Sequence, residues 1–390
     1  MKIKKAVLVL VVTIAVMANG LMPALGQTAE PAACDGQEAS CQTLQPAVQD
    51  PLGVSVVRVY YEAPEEIELL SGFDLFEYNN QEERYVLVAV DRADLARLRS
   101  LGFRTEVDPE ETANFARLAT PLAQQAGAAG IDTIPGYTCY RTVEETYAAA
   151  AALAANHPKL AQWIDVGDSW EKATTTSPEL AGYDMMVLKL TNSAITGSKP
   201  KLFITASIHA REYTPAEMAT RFAEYLIDNY GIDADVTWLL DHHEIHLMFH
   251  ANPDGRKKAE AGSSWRKNTD RDDGCTTTYG TDLNRNFAYQ WGTGGSSAVA
   301  CDETYRGPSA GSEPETQVIQ NYLKAIFADQ RGTGAAPTDA TGIYLDLHSY
   351  GGYVIWPWGY TRTDMPAPNN TQHQTLGRKF AFFNGYRPFQ

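Results

Sequence analysis

Apolar residues recur along this chain in distinct rhythms, and each predicts a different kind of segment. Near the start, Ala6–Met17 is an almost unbroken apolar run behind Lys2, Lys4 and Lys5. Asn19, Gly20 and Pro23 interrupt it short of the roughly 20 residues a bilayer span requires. With small residues around Ala24-Leu25-Gly26, residues 1–26 read as a signal peptide, which predicts a secreted or periplasmic protein with no membrane anchor after cleavage. Residues 27–52, rich in Ala, Gln, Pro and Asp, read as a linker. The β-branched run Val54–Tyr61, the strand pattern Arg84–Val90 and a helical pattern over Asp94–Leu101 predict a small α+β unit at 53–107. A second linker is expected over 108–130.

From about residue 131 strands and helices alternate. Apolar strand patterns at Asp184–Leu190, Lys201–Ile208, Glu244–Phe249 and Gly342–Leu347 are separated by helical spacing at Thr142–Ala155, Pro215–Tyr230 and Pro314–Phe327. Near-continuous apolar stretches such as Leu202-Phe203-Ile204 suit a sheet buried on both faces. The expected fold class over 131–390 is therefore α/β, a mixed, largely parallel sheet with helices on both faces. Thr214-Pro215-Ala216-Glu217 and Ser312-Glu313-Pro314-Glu315 read as helix starts, with Thr214 and Ser312 as caps. That assigns Glu217 and Glu315 to structure.

Charge and cysteines narrow the classes. A net charge of −16 leaves no basic excess for phosphate backbones, which excludes a nucleic-acid binder. Export makes the five cysteines candidates for disulfides, and no C-x-x-C spacing supports thiolate metal binding. Cys34 and Cys41 lie close together, Cys275 and Cys301 bracket a Gly/Ser/Thr-rich loop, and Cys139 is left over.

The chemistry concentrates in Ile208-His209-Ala210-Arg211-Glu212-Tyr213, between an apolar strand and a helix start. Ligands bind at that edge of open α/β sheets, and a histidine and a carboxylate three apart on a turn can reach one metal ion. H-x-x-E alone is common by chance. His348, however, ends the strand pattern at Leu347 as His209 ends its own, and two histidines with one glutamate make a catalytic zinc set with an open position. The competing reading is that His348 packs in the core. His242, His243, His246 and His250 surround one strand and lack a strand-end carboxylate, so they are not expected as ligands.

In order, the chain carries His209-Ala-Arg-Glu212, Asn252-Pro-Asp-Gly255, Trp265-Arg-Lys-Asn268, Asp282-Leu-Asn-Arg-Asn-Phe287, His348-Ser-Tyr350 and Trp356-Pro-Trp-Gly-Tyr360. Over about 131–390 this set resembles the zinc carboxypeptidases of the carboxypeptidase A type, with the bacterial carboxypeptidase T branch as the nearest likeness. The resemblance implies one Zn2+ held by His209, Glu212 and His348, and peptide or protein C-termini as substrates. It implies that Arg266 stabilises the oxyanion, that Asn284 and Arg285 grip the substrate carboxylate, and that Arg211 and Tyr350 line the cleft. It further implies that Asp282 backs His209, that Cys275 pairs with Cys301, and that the unit at 53–107 is a propeptide and inhibitor. Rival readings are a zinc amidase or deacylase on a related fold and a binding domain without catalysis.

The family's general base is a glutamate well after the third zinc ligand. Here the last glutamate is Glu315, and Asp364 is the one acid after His348. The resemblance thus implies a base beyond residue 390, an inactive 390-residue chain, and a gap in the sheet near His348 that exposes apolar surface.

Overall fold

In a computed structural model of the chain, the described residues are 53–115 and 134–390, apart from 71–72, 81, 114, 136, 138, 175–180, 331–333, 350 and 361–366, together with the strand Val9–Thr13. Cys34, Cys41, Tyr350 and Asp364 lie outside them. In chain order the strands are β1 Val9–Thr13, β2 Ser55–Tyr60, β3 Asp74–Asn80, β4 Tyr85–Val90, β5 Arg104–Val107, β6 Ala161–Asp168, β7 Asp184–Leu190, β8 Lys201–Ala206, β9 Glu244–Met248, β10 Ile343–His348, β11 Tyr353–Ile355 and β12 Arg387–Phe389. They form a large sheet in the order β12-β11-β1-β10-β8-β9-β7-β6 and a small one in the order β3-β4-β2-β5.

The large sheet is mixed, as expected. Its centre, β1-β10-β8-β9, is parallel, while β7 and β6 join antiparallel at one side. Alternation along β8 and β10 divides the apolar residues between the two faces. Ile204, Ala206, Leu345 and Leu347 face a core covered by the helices Tyr213–Asp228, Ala234–His242 and Val143–Asn156. Phe203 and Tyr344 face the opposite core, where Ile319 and Leu323 of the helix Pro314–Ile326 pack with Leu283. The strand β6 has no counterpart among the expected strands, because AQWIDVGD is only partly buried and reads as polar.

The slot beside β10 is a correction. It was expected to be open, yet Val9–Thr13, from the stretch read as a signal peptide, lies there parallel to β10 and antiparallel to β11. An unpaired strand edge offers a row of N–H and C=O groups, and an apolar β-branched run satisfies them. Cleavage after residue 26 would sever this strand from the chain and leave the edge of β10 to be filled by another strand. Apolar surface does remain uncovered elsewhere. A cavity of about 1070 Å³ is lined by Leu202, Ile204, Met218, Phe222, Leu345 and Phe380, and Phe382 and Phe383 on the helix Asn370–Asn384 are exposed. Leu202, Ile204 and Leu345 alternate with the residues that lead to His209 and His348, so this cavity lies on the other face from the metal centre.

The small sheet explains why Tyr85–Val90 is apolar throughout. Val86, Val88 and Val90 pack with Val57, Val59, Leu70 and Leu98 inside the unit. Tyr85, Leu87 and Ala89 face the other way, with Val56 and Phe76, and are covered by Tyr353, Ile355 and Phe389 of β11 and β12. Each such burial contributes about 1.5–3 kcal/mol, so the unit is anchored to the large domain by its second face. The unit also extends past the expected boundary at 107. Asp108 is buried in an ion pair with Arg58 at 2.8 Å, and Thr112 Oγ1 accepts from Val56 N at 3.0 Å. Residues 108–112 therefore belong to the unit and not to a linker.

Both capped-helix readings need correction. Glu212, not Thr214, takes the N-cap of Tyr213–Asp228, and Glu313, not Ser312, that of Pro314–Ile326. Glu217 is buried and pairs with Arg221 at 2.8 Å. Glu315 is fully buried, accepting from Trp170 N at 2.8 Å and from Asn268 Nδ2 at 3.3 Å. Burial, then the charges of Asp254 and Glu313, push its carboxyl up to about 8. The folded chain thus keeps a proton that the unfolded chain releases above about pH 4.5. Stability is expected to fall as pH rises from about 4.5 to about 8 and to level off beyond, by up to a few kcal/mol. Denaturant melts of the wild type and Glu315→Gln across that range should show a shallower fall in the variant, the remainder coming from Glu313 and Asp254, which burial also raises.

Candidate metal centre

The chain leaves β8 through Ser207, whose φ of 54° turns it sharply out of the sheet. Ser207 Oγ donates to Glu212 O at 3.0 Å, and Arg256 Nη1 donates to the same carbonyl at 3.2 Å. Asn252 Nδ2 donates to Ile208 O at 3.1 Å and to Lys267 O at 3.0 Å, while Ala210 N donates to Arg266 O at 3.0 Å. These bonds fix the His209 turn against the segment that carries Arg266. Gly255 is required for this: a Cβ there would meet Lys267 O at 2.4 Å. The stretch Asn252–Gly255, which reads as a plain turn, is therefore a clamp on the site.

His209, Glu212 and His348 converge, each offering a ligand atom within 4.8 Å of the others, and all three are buried. His209 Nδ1 lies 2.8 Å from Glu212 Oε1. His348 Nδ1 lies 3.3 Å from Glu212 Oε2 and 3.2 Å from His209 Nδ1. The helix start leaves the Glu212 side chain without a capping bond, free to face the histidines. The competing reading of His348 as a packed core residue is thereby set aside. Burial pushes the Glu212 carboxyl up, but the charges of His209 and His348 outweigh it and hold it well below the usual range.

Behind each ring stands a second carboxylate. Asp282 Oδ1 is 3.3 Å from His209 Nε2, an ion-pair distance that falls short of an aligned hydrogen bond. Its Oδ2 accepts from Arg266 Nε at 3.1 Å and Nη2 at 3.0 Å. Burial alone would raise Asp282; Arg266, then His209 and Arg285, hold it well below the usual range. Asp346, which the sequence reading passed over, lies 3.0 Å from His348 Nε2. Its signal was strand alternation, which puts residues 346 and 348 on one face.

The donor chemistry suits zinc: two imidazole nitrogens and a carboxylate oxygen, in a buried site. Charge agrees. Three buried carboxylates, Glu212, Asp282 and Asp346, touch the rings, against the Arg266 guanidinium bound to Asp282. A divalent cation held by the three ligands would offset that excess of negative charge.

The other expected site residues are spread around this centre. Arg211 is partly exposed, with Nη1 3.6 Å from Glu303 Oε2. Asp282 Oδ1 accepts from Asn284 N at 3.0 Å and caps the short helix Leu283–Asn286, which presents Asn284 and Arg285. Arg285 Nε donates to Gly295 O at 2.8 Å. His246 bonds Tyr322 OH at 2.8 Å, and His250 is buried apart from the triad. Cys275 and Cys301 form a disulfide with Cα atoms 5.2 Å apart. The loop it closes is tied to the centre by Lys267 Nζ, which donates to Ala300 O at 2.9 Å and Asp302 O at 3.0 Å. Among the described residues no helix is long and apolar enough to cross a membrane.

Comparison with known proteins places this geometry. Residues 146–386 match the family model described as zinc carboxypeptidase. A zinc carboxypeptidase of Saccharothrix mutabilis subsp. capreolus is 30% identical over 313 residues, 78% of this chain and 67% of the relative. The metallocarboxypeptidase A of Trichophyton rubrum is 32% identical over 221 residues, 56% of this chain and 47% of the relative. The chain thus spans about two thirds of the bacterial relative and about half of the fungal one. Among solved structures, carboxypeptidase A from Helicoverpa armigera superposes with a TM-score of 0.63 at 23% identity, covering 86% of this chain and 78% of that one. Thrombin activatable fibrinolysis inhibitor superposes at 0.60 and 21% identity, covering 84% and 79%. These two likenesses establish the fold.

Two outcomes are expected. His209→Ala, Glu212→Gln and His348→Ala should each reduce bound zinc from about one ion per chain to traces after dialysis, measured by atomic emission, whereas His246→Ala should retain it. Replacing Cys275 and Cys301 by Ser should cost about 3 to 4 kcal/mol in denaturant unfolding, from the entropy of the loop of 26 residues that the bridge closes.

Proposed function

Because this chain belongs to the zinc carboxypeptidase family, we propose that His209, Glu212 and His348 hold one zinc ion and that the site removes residues from the C-termini of peptides and proteins. The observation that carries this reading is the buried convergence of the three ligands on one side of Asp282, with Arg266 on the other. When bound there, zinc supplies a Lewis acid and a water whose pKa falls to about 7.

The chain's own residues supply the rest. Asp282 orients His209 and holds Arg266 by two bonds that converge on its Oδ2, so the guanidinium is a fixed cation suited to an oxyanion. Fixed dipoles and charges of this kind cost little reorganisation when charge develops. Arg285 and Asn284, on the short helix that Asp282 caps, are assigned to the substrate's terminal carboxylate, for which a guanidinium fork is the better match than an amine. Arg211, at the cleft-facing turn, and Tyr350 are assigned to the peptide subsites. Asp282 and Asp346 both face the ring nitrogens turned away from Glu212, so neither is assigned as the acceptor of the water's proton.

The unit beginning at residue 53 is assigned as a removable inhibitory segment. Its contact with Tyr353 and Ile355, on the strand that follows His348, supports that role. Export, with cleavage near residue 26, is supported by the disulfide and the apolar N-terminal run.

The test uses the full gene product and a blocked dipeptide with a free C-terminal carboxylate. Hydrolysis should require zinc, should be lost on a C-terminally amidated substrate, and should fall by about 100-fold or more in kcat/KM for Arg285→Lys. Equal cleavage of the amidated substrate would refute the exopeptidase reading. Preferential cleavage of N-acyl amino acids would favour an amidase or deacylase.

A further inference from the structure

We propose that Asp346 is the positioning residue of His348, and that it sets how tightly the site holds zinc. The inference rests on the zinc reading above but concerns a residue outside the ligand set and outside the expected site.

Strand alternation puts Tyr344, Asp346 and His348 on one face of β10, and the parallel register sets Asp346 directly opposite Thr205 on β8. Asp346 Oδ2 is 3.0 Å from His348 Nε2. Its Oδ1 accepts from Thr205 Oγ1 at 2.7 Å, and Thr205 Oγ1 lies 2.8 Å from the Tyr344 hydroxyl. Thr205 has one hydrogen and spends it on the carboxylate, so Tyr344 donates to Thr205. The chain of bonds then runs from Tyr344 to Thr205 to Asp346, and from His348 to Asp346. All four residues are buried.

Two consequences follow. The His348 hydrogen is held on Nε2, which leaves the Nδ1 lone pair directed at Glu212 and His209, where the ion would sit. The acid also sits within the buried run of β10, between Leu345 and Leu347. A buried carboxylate is costly there unless its charge is used, and its partners are a ligand ring and donors. His209 has its own acid in Asp282. The site is thus backed by a carboxylate behind each histidine.

The experiment compares wild type, Asp346→Asn and Thr205→Val, purified as the full gene product. Zinc dissociation constants are measured by competition with a chromophoric chelator, the visible spectrum is recorded after cobalt substitution, and the zinc-free proteins are melted thermally. Asp346→Asn is expected to weaken zinc binding about 10–100-fold and to shift the cobalt spectrum, with the zinc-free melting temperature unchanged or raised. Zinc affinity within about twofold of wild type in the folded variant would overturn the proposal. Should Asp346→Asn not fold, Thr205→Val decides. Its carboxylate leans wholly on His348, so zinc binding should tighten at least about threefold, and unchanged affinity would overturn the proposal. A wild type that binds no zinc would instead sink the zinc reading itself, which separates the two failures.

Discussion

The hydrogen bonds that hold Lys201–Ala206 parallel to Ile343–His348 are what the site depends on. They set Ala206 opposite Leu347, so two strands separated by well over a hundred residues end at the same edge of the sheet. His209 and His348, 139 positions apart, meet there with ring nitrogens 3.2 Å apart. Antiparallel pairing would put these ends at opposite edges. A slip of one residue would turn His348 to the other face. The apolar residues on both sides of these strands, Ile204 and Leu345 on one and Phe203 and Tyr344 on the other, make such a slip expensive.

Around that edge, polar side chains replace regular secondary structure. The turn from Ser207 to Glu212 has no ladder to hold it, and its carbonyls are taken up by Ser207, Asn252 and Arg256. Asn268 performs the same task one layer further out, accepting from Thr281 N at 2.7 Å and donating to Glu313. The arrangement is rigid because each of these groups is buried and would be costly to leave unpaired. It also places acids in the interior, and Glu313 and Glu315 hold their protons to about 7 and about 8 as a result.

The small unit obeys a simpler constraint. A four-stranded sheet with apolar residues on both faces cannot stand alone in water, and its own helix covers only one of them. The second face closes on Tyr353, Ile355 and Phe389. Attachment to the strand that follows His348 is therefore a consequence of core burial, and any process that removes the unit must expose apolar surface on both partners.

What the sequence by itself determined was local or additive. Apolar rhythm was sufficient for the α/β class and for the principal strands, since burial on both faces leaves an unbroken run. The ordered motifs around His209, Glu212, Arg266, Asp282, Arg285 and His348 were sufficient for the family, and the ligands could be named from their places at strand ends. Tertiary structure alone decided the rest. The helix caps shifted to Glu212 and Glu313, whose backbones are held by distant residues, Arg256 on the Glu212 carbonyl and Asn286 on the Glu313 N–H, while neither side chain makes a capping bond. Asn252 reads as part of a turn, and Arg256 and Asp346 carry no signal of their own, until the partners opposite them are known. The slot beside β10 was expected to be vacant and instead holds Val9–Thr13, because a sheet edge accepts any apolar strand that completes its hydrogen bonds. A side chain's chemistry is written in its residue type, but its role depends on what faces it, and pairing between strands that are far apart in the chain is what sets that.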